Sequence, residues 1–223
     1  MRYSWETNGG SITGVGDTVT WIAPDREGEF TIIVTIDDGK GGQNAEEVSV
    51  TVYRPIETVT FNLVPDESGT VSSEGDKDTS KIMAGDNTEN VGYHAFFSFD
   101  ISQLKGKDIK AANLTFSTGN VVREPFDKIA GLRGLRLQRV RGEQGQLPDY
   151  GTEAYQLVKG PSVMWEPPTV IDVIAEVKSP LLTPKLSIHL QFEASFINKT
   201  NANRSPDYVR WSVVTLAVTY AEK

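Results

Sequence analysis

The side chains best suited to chemistry are acidic and gathered in one stretch. Asp66-Glu67, Asp76-Lys77-Asp78-Thr79-Ser80 and Asp86-Asn87-Thr88-Glu89-Asn90 follow one another closely. Calcium takes oxygen ligands from carboxylates, amides and carbonyls, and loops supply these best. Asp76, Asp78 and Ser80 have the first-third-fifth spacing of an EF-hand loop. Lys81 stands where that loop needs glycine, however, and Asn87 where it needs a bidentate glutamate. The stretch is therefore not an EF-hand. It reads either as a solvated acidic loop or as a structural calcium site drawing on Asp76, Asp78, Asp86 and Asn87.

A second chemistry is aromatic. Polysaccharide-binding surfaces stack the CH faces of sugar rings on exposed aromatic side chains. Tyr93, Tyr150, Tyr155 and Trp165 lie outside strand interiors. Tyr150 follows Pro148-Asp149 and precedes Gly151, a turn setting that favours exposure. Trp165 has two readings, a core residue or a platform, because tryptophan is usually largely buried. The one basic cluster, Lys128, Arg133, Arg136, Arg139 and Arg141, lies in the same part of the chain. It reads as a solvated strand face or as a site for an anion or a polysaccharide. The expected ligand patch is Tyr150 and Tyr155 with Arg136 or Arg139, in the least regular segment.

Other chemistries lack their residues. The chain has no cysteine and two histidines, His94 and His189, so thiol catalysis and a three-histidine metal site are out. No H-E-x-x-H, G-x-S-x-G or phosphate-binding P-loop occurs, and Gly14-Val15-Gly16 reads as a turn. A glycosidase needs two carboxylates flanking a cleft, and sequence separation cannot select a pair. The expectation is a protein that is not an enzyme.

The elements that must position these residues are strands. Phe30, Ile32, Val34 and Ile36 alternate, as do Val48, Val50 and Val52, the pattern of half-buried antiparallel strands. The turn cluster Asp37-Asp38-Gly39-Lys40-Gly41-Gly42 makes 29–36 and 45–53 a hairpin. Val19–Ile22 is a short strand closed by Ala23-Pro24-Asp25. Further strands are read at 59–63, 95–99, 114–116, 135–137, 188–192 and 209–213. The best helix is a turn or two over 171–178, with Asp172 as cap and Pro180 as terminator. Segment 119–150 is long and glycine-rich, and such connections are often functional. The fold class expected is all-β, two tandem antiparallel sandwiches.

Composition agrees with a globular chain. Of 223 residues, 38% are hydrophobic and 23% charged. The 22 basic and 30 acidic side chains give a net charge of −8, which opposes nucleic-acid binding. No apolar run approaches the ~18 residues of a membrane span. Met1-Arg2-Tyr3-Ser4-Trp5 lacks the apolar core of a signal peptide. The charge is uneven: 1–53 hold three basic and nine acidic side chains, and 54–223 hold 19 and 21. That break coincides with Tyr53-Arg54-Pro55, where a strand-like run ends at a proline. The two domains expected are 1–53 and 57–223.

Two resemblances sharpen this. Tyr3-Ser4-Trp5, Gly9-Gly10, Trp21-Ile22-Ala23-Pro24, Gly28-Glu29-Phe30-Thr31-Ile32 and Asp38-Gly39, followed by Val48–Val52, resemble PKD-like and related immunoglobulin-like modules. Such modules are longer, so the resemblance implies that 1–53 is truncated at its start, within a larger parent protein. It also implies an exposed sheet edge there. Residues 57–223 are similar to the DNRLRE-type jelly-roll domains related to carbohydrate-binding modules. The similarity rests on Ala95-Phe96-Phe97-Ser98-Phe99-Asp100-Ile101-Ser102-Gln103-Leu104, Ile109–Phe116, Trp165, Val170-Ile171-Asp172-Val173 and Leu216–Tyr220. His94 and Ala95 depart from the family pattern, as does the length of 119–150. The resemblance implies an extracellular or cell-surface location, a polysaccharide or glycan partner and a non-catalytic role. It also makes a structural calcium plausible. A structural or adhesive spacer, or a lyase or hydrolase on the jelly roll, are the alternatives.

Overall fold

The computed structural model describes residues 1–158, 163–181 and 189–222, with backbone alone for Tyr155, Gln156, Leu157, Pro180 and Leu181. The chain divides into two compact units, Met1–Pro55 and Ile56–Lys223. Both are built of antiparallel strands, and the protein is all-β.

The first unit holds β1 (Arg2–Thr7), β2 (Ser11–Thr13), β3 (Thr20–Ile22), β4 (Gly28–Asp37) and β5 (Gln43–Val52). A three-stranded sheet runs β1-β4-β5, and β2 pairs β3 as a separate ribbon. Asp38 fixes the β4–β5 hairpin, its Oδ1 accepting the N–H groups of Lys40 and Gly42. Register puts Phe30 beside Val50 and Ile32 beside Val48, so the alternating apolar residues share one face. Trp21 lies against Phe30, and its indole N–H donates to the Gly9 carbonyl. Gly9 has to be glycine, since a Cβ there would lie 2.4 Å from the Phe30 ring. The cover stops at β4: Phe30 and Ile32 are buried, while Val48 on β5 is 54% exposed.

The second unit begins with β6 (Ile56–Phe61), β7 (Gly69–Ser72), β8 (Lys77–Asp78), β9 (Ile82–Asp86) and β10 (Gly92–Asp100). It continues with β11 (Asp108–Val122), β12 (Leu135–Val140), β13 (Ala154–Leu157), β14 (Val170–Asp172), α1 (Ile174–Leu181), β15 (His189–Phe196) and β16 (Tyr208–Ala221). Pairing runs β13-β12-β15-β10-β9-β16-β11-β14, with β6 on β16 and β7 on β10. The β10–β9 junction is only Gly92–Asp86 and Tyr93–Gly85, and there the sheet folds over on itself. One layer then presents Phe97, Phe99, Leu190, Phe192 and Leu137, the other Leu114, Phe116, Trp211 and Leu216, to a single core. Phe97 stands at its centre, edge-on to Phe116 and to Trp211 at 5.6 Å each. This is an antiparallel β-sandwich, and its arrangement fits a jelly roll. The helix departs from the expected bounds: Asp172 Oδ1 accepts the Ile174 N–H as a starting cap, and the helix runs one residue past Pro180. The expected first residue of the strand at 188 lies outside the described residues.

Truncating the central ring leaves a cavity that two facing sheets cannot close. Phe97→Ala should therefore cost the second unit roughly 3–5 kcal/mol in urea unfolding. A cost under about 1 kcal/mol would show that the two layers do not share this core.

Candidate functional site

Side chains alternate along a strand. Ala95, Phe97 and Phe99 of β10 face the core, which turns His94, Phe96 and Ser98 outward. Leu190, Phe192 and Ala194 of β15 do the same, turning His189, Gln191, Glu193 and Ser195 outward. An outward polar row on a sandwich is ordinarily wet. This one is largely buried, because residues 141–153 cross it as a strap. Leu147 of the strap packs with Val71, Phe96 and Val140, and Tyr150 lies against the same cluster.

A buried carboxylate organises one half of this face. Glu67 is 1% exposed. It accepts the Ser98 hydroxyl at 2.5 Å, the Gly145 N–H at 2.7 Å and the Gln191 amide at 3.3 Å. Both of its oxygens lie 2.8 Å from His189 Nδ1. Burial pushes its pKa up, but Ser98, Gly145 and His189 outweigh burial and hold it below the usual 4.5.

The other half is a second imidazole–carboxylate pair. His94 Nδ1 lies 2.8 Å from Glu193 Oε1, an ion-pair contact without the alignment of a hydrogen bond. Glu193 is 4% exposed. Tyr150 stacks on the His94 ring at 3.9 Å, and the Lys199 ammonium lies 5.4 Å from the Tyr150 centroid. Burial first, and then the Glu193 charge, push the Tyr150 hydroxyl up to about 12. These residues, with Gln138, Thr152 and Ser195, line an open cleft of about 410 Å³. Among the described residues, no protein group hydrogen-bonds His94 Nε2, the Tyr150 hydroxyl or the Lys199 ammonium. The cleft thus offers hydrogen-bonding capacity that the fold leaves unspent.

A second concavity, of about 760 Å³, follows the chain from Val163 to Asp172. Trp165 lies on it and is 42% exposed, with the Lys128 ammonium 5.2 Å from its ring. It is a surface residue, so its reading as core is corrected. The cause is local: Leu135 and Met164 exchange backbone hydrogen bonds, which leaves Met164 inside and the next side chain outside. Gly134 permits that approach, since a Cβ there would lie 2.4 Å from Val163.

The remaining expected residues scatter. Tyr150 is half-buried and one face of its ring is occupied, so it is not the open platform expected. The Tyr155 side chain lies outside the described residues. Arg136 is exposed on β12, but Arg139, one alternation out of phase, is 4% exposed and turns away from that surface. Of the two alternatives, Arg136 is in register with Ser195, on the strand phase of Gln138, and both Ser195 and Gln138 line the Tyr150 cleft.

Of the four expected calcium ligands, three have protein partners. Asp76 is exposed on the β7–β8 turn. Asp78 Oδ1 accepts the Ser80 hydroxyl and N–H while Oδ2 pairs with Lys81 at 2.9 Å, contacts that hold its pKa down to about 2. Asp86 is buried and accepts the N–H groups of Asp207 and Asn201, latching β9 to the 201–207 loop. Burial raises its pKa despite those bonds. Asn87 closes the β9–β10 turn by accepting from Glu89 and Val91. Among the described residues, no group of three or more histidines and acids could hold a metal ion.

Sequence reasoning missed Glu67, His94, Glu193, His189 and Lys199. The available signal was that both histidines and Glu193 occupy the polar phase of strongly apolar strands. No known family matches the chain, and no curated protein is similar to it.

Glu67 gives a pH signature. A carboxylate held below its unfolded pKa stabilises the fold above that value and loses the contribution as pH falls through the folded one. Glu67→Gln should cost roughly 2–4 kcal/mol near neutrality. Its melting-temperature deficit should stay level above about pH 5 and shrink below about 4.5. A deficit indifferent to pH would show that the charge of Glu67 contributes nothing.

Proposed function

We propose that the second unit is a non-catalytic polysaccharide-binding module of a secreted or cell-surface multidomain protein. The observation that carries this reading is Trp165. It alone of the four tryptophans is exposed, and it lies beside Pro167-Pro168 on the larger concavity. Exposing an indole forfeits burial worth roughly 2 kcal/mol or more, so its place at the surface asks for a partner. A sugar ring supplies one, with an apolar face for the indole and hydroxyls for the Lys128 ammonium and for Glu166. The hydrogen-bonding cleft at His94 and Tyr150 supplies a second kind of contact, suited to hydroxyl groups.

Catalysis on the same scaffold is the second reading. It is favoured by His94, whose Nδ1 is backed by buried Glu193 and whose Nε2 is hydrogen-bonded by none of the described residues, the arrangement of a general base. A structural spacer needs neither feature.

Native-gel retardation in a panel of polysaccharides separates the three. The parent protein should be retarded by at least one polymer, and Trp165→Ala should migrate faster. Loss of one stacking contact of about 1 kcal/mol is about a five-fold loss of affinity. Polymer shortened during the run, and no longer when His94→Ala is used, would establish the catalytic reading instead. Free migration in every gel would leave the spacer.

A further inference from the structure

Two backbone N–H groups of the strap 141–153, those of Gly142 and Gly145, converge on Glu67 and its partner Gln191. Glu67 Oε1 takes the Gly145 N–H, while its other oxygen takes the amide of Gln191. The Gln191 carbonyl oxygen in turn accepts the Gly142 N–H at 2.6 Å. Three residues apart on the strap, both donors are thus fixed by one Glu67–Gln191 unit. Gly142 is pressed onto it, since a Cβ would lie 2.8 Å from Gln191 Oε1 and 2.8 Å from the Pro148 ring. Beyond Gly145, Leu147 packs with Val71, Phe96 and Val140, and Lys77 donates to the Leu147 carbonyl and pairs with Asp149, both at 2.7 Å. Tyr150 follows immediately and forms the wall of the His94 cleft.

We propose that Glu67 is a positioning residue: by clamping the strap at Gly142 and Gly145 it sets Tyr150 against His94 and so forms the cleft, without itself touching a ligand. The groups facing Glu67 are Ser98 of β10, His189 and Gln191 of β15 and Gly145 of the strap, with Asp100 3.9 Å from the far nitrogen of His189. The carboxylate serves the strap and both strands at once. A clamp of this kind acts on geometry at a distance. Its loss should be read at Tyr150 before it is read in the core.

The consequence for ligand rests on the polysaccharide reading, whereas the clamp itself does not, and the experiment separates them. Amide exchange of 142–153 and ultraviolet titration of the Tyr150 hydroxyl, isolated by subtracting Tyr150→Phe, are measured in the full chain. Glu67→Gln removes the charge and keeps the shape. Gly142→Ala leaves Glu67 intact and wedges the strap away from Gln191, which keeps the test available if Glu67→Gln folds poorly. In both, strap exchange should accelerate at least tenfold while β10 amides stay protected, and Tyr150 should titrate well below the parent's value of about 12. Unchanged exchange and an unchanged Tyr150 titration in both variants would overturn the clamp. Where a polysaccharide retards the parent, Glu67→Gln should lose as much retardation as Tyr150→Ala. An opened strap with full retardation would overturn the cleft's role in binding, and a parent that binds nothing would overturn the polysaccharide reading while the exchange result still decides the clamp.

Discussion

Strands β10 and β15 bury both of their faces, and the rest of the second unit is arranged around that double burial. On one side Phe97, Phe99 and Phe192 fill a common core, which requires only apolar volume. On the other side lie His94, Ser98, His189, Gln191 and Glu193, which cannot be taken from water without partners. The protein answers with two imidazole–carboxylate pairs and a strap whose backbone N–H groups are themselves donors. Glu67 reaches in from the turn before β7 to complete the arrangement. Unpaired in that position it would cost several kcal/mol, and the donors of the strap and of both strands are what allow it to be buried.

This explains how much was legible beforehand. The core phase of each strand is written in alternation, because apolar side chains select one face whatever lies on the other. The all-β class, the β4–β5 hairpin and the start of the helix at Asp172 follow from such local signals. Third-layer burial is different. Residues 141–153 carry no periodic pattern, and nothing in Gly142-Glu143-Gln144-Gly145 announces which face they cover. Glu67 is 78 residues from Gly145 and 122 from His189, so its partners are fixed only by the sheet order.

The acids mark the same boundary in another way. Asp76, Asp78, Asp86 and Asn87 are close in sequence, and closeness suggested a shared cation. Three of them satisfy a local or long-range backbone requirement, Asp78 a turn, Asn87 a turn, Asp86 the N–H groups of Asn201 and Asp207, while Asp76 is exposed. N–H groups and a lysine take up carboxylate oxygens in this stretch, as at Asp78 and Asp86. Proximity in a loop-rich stretch is thus a weaker guide than the count of donors each oxygen already has.

Trp165 and Tyr150 show that donor counts and covered faces also separate two kinds of aromatic residue. Tyr150 sits in a turn that favours exposure, yet it is half-buried because His94 takes one ring face and the side chain packs against the apolar cluster of Leu147. Trp165 sits where a tryptophan is expected inside, yet the Leu135–Met164 bridge fixes the alternation so that Met164 is inward and the indole outward. Exposure at each was decided by one neighbouring residue with a fixed direction, not by the aromatic residue's own preference. A ring held outward by backbone pairing cannot retreat into the core when no ligand is present. On the proposed polysaccharide reading, a ring so fixed is preorganised for contact, and that lowers the ordering cost of binding a flexible polymer.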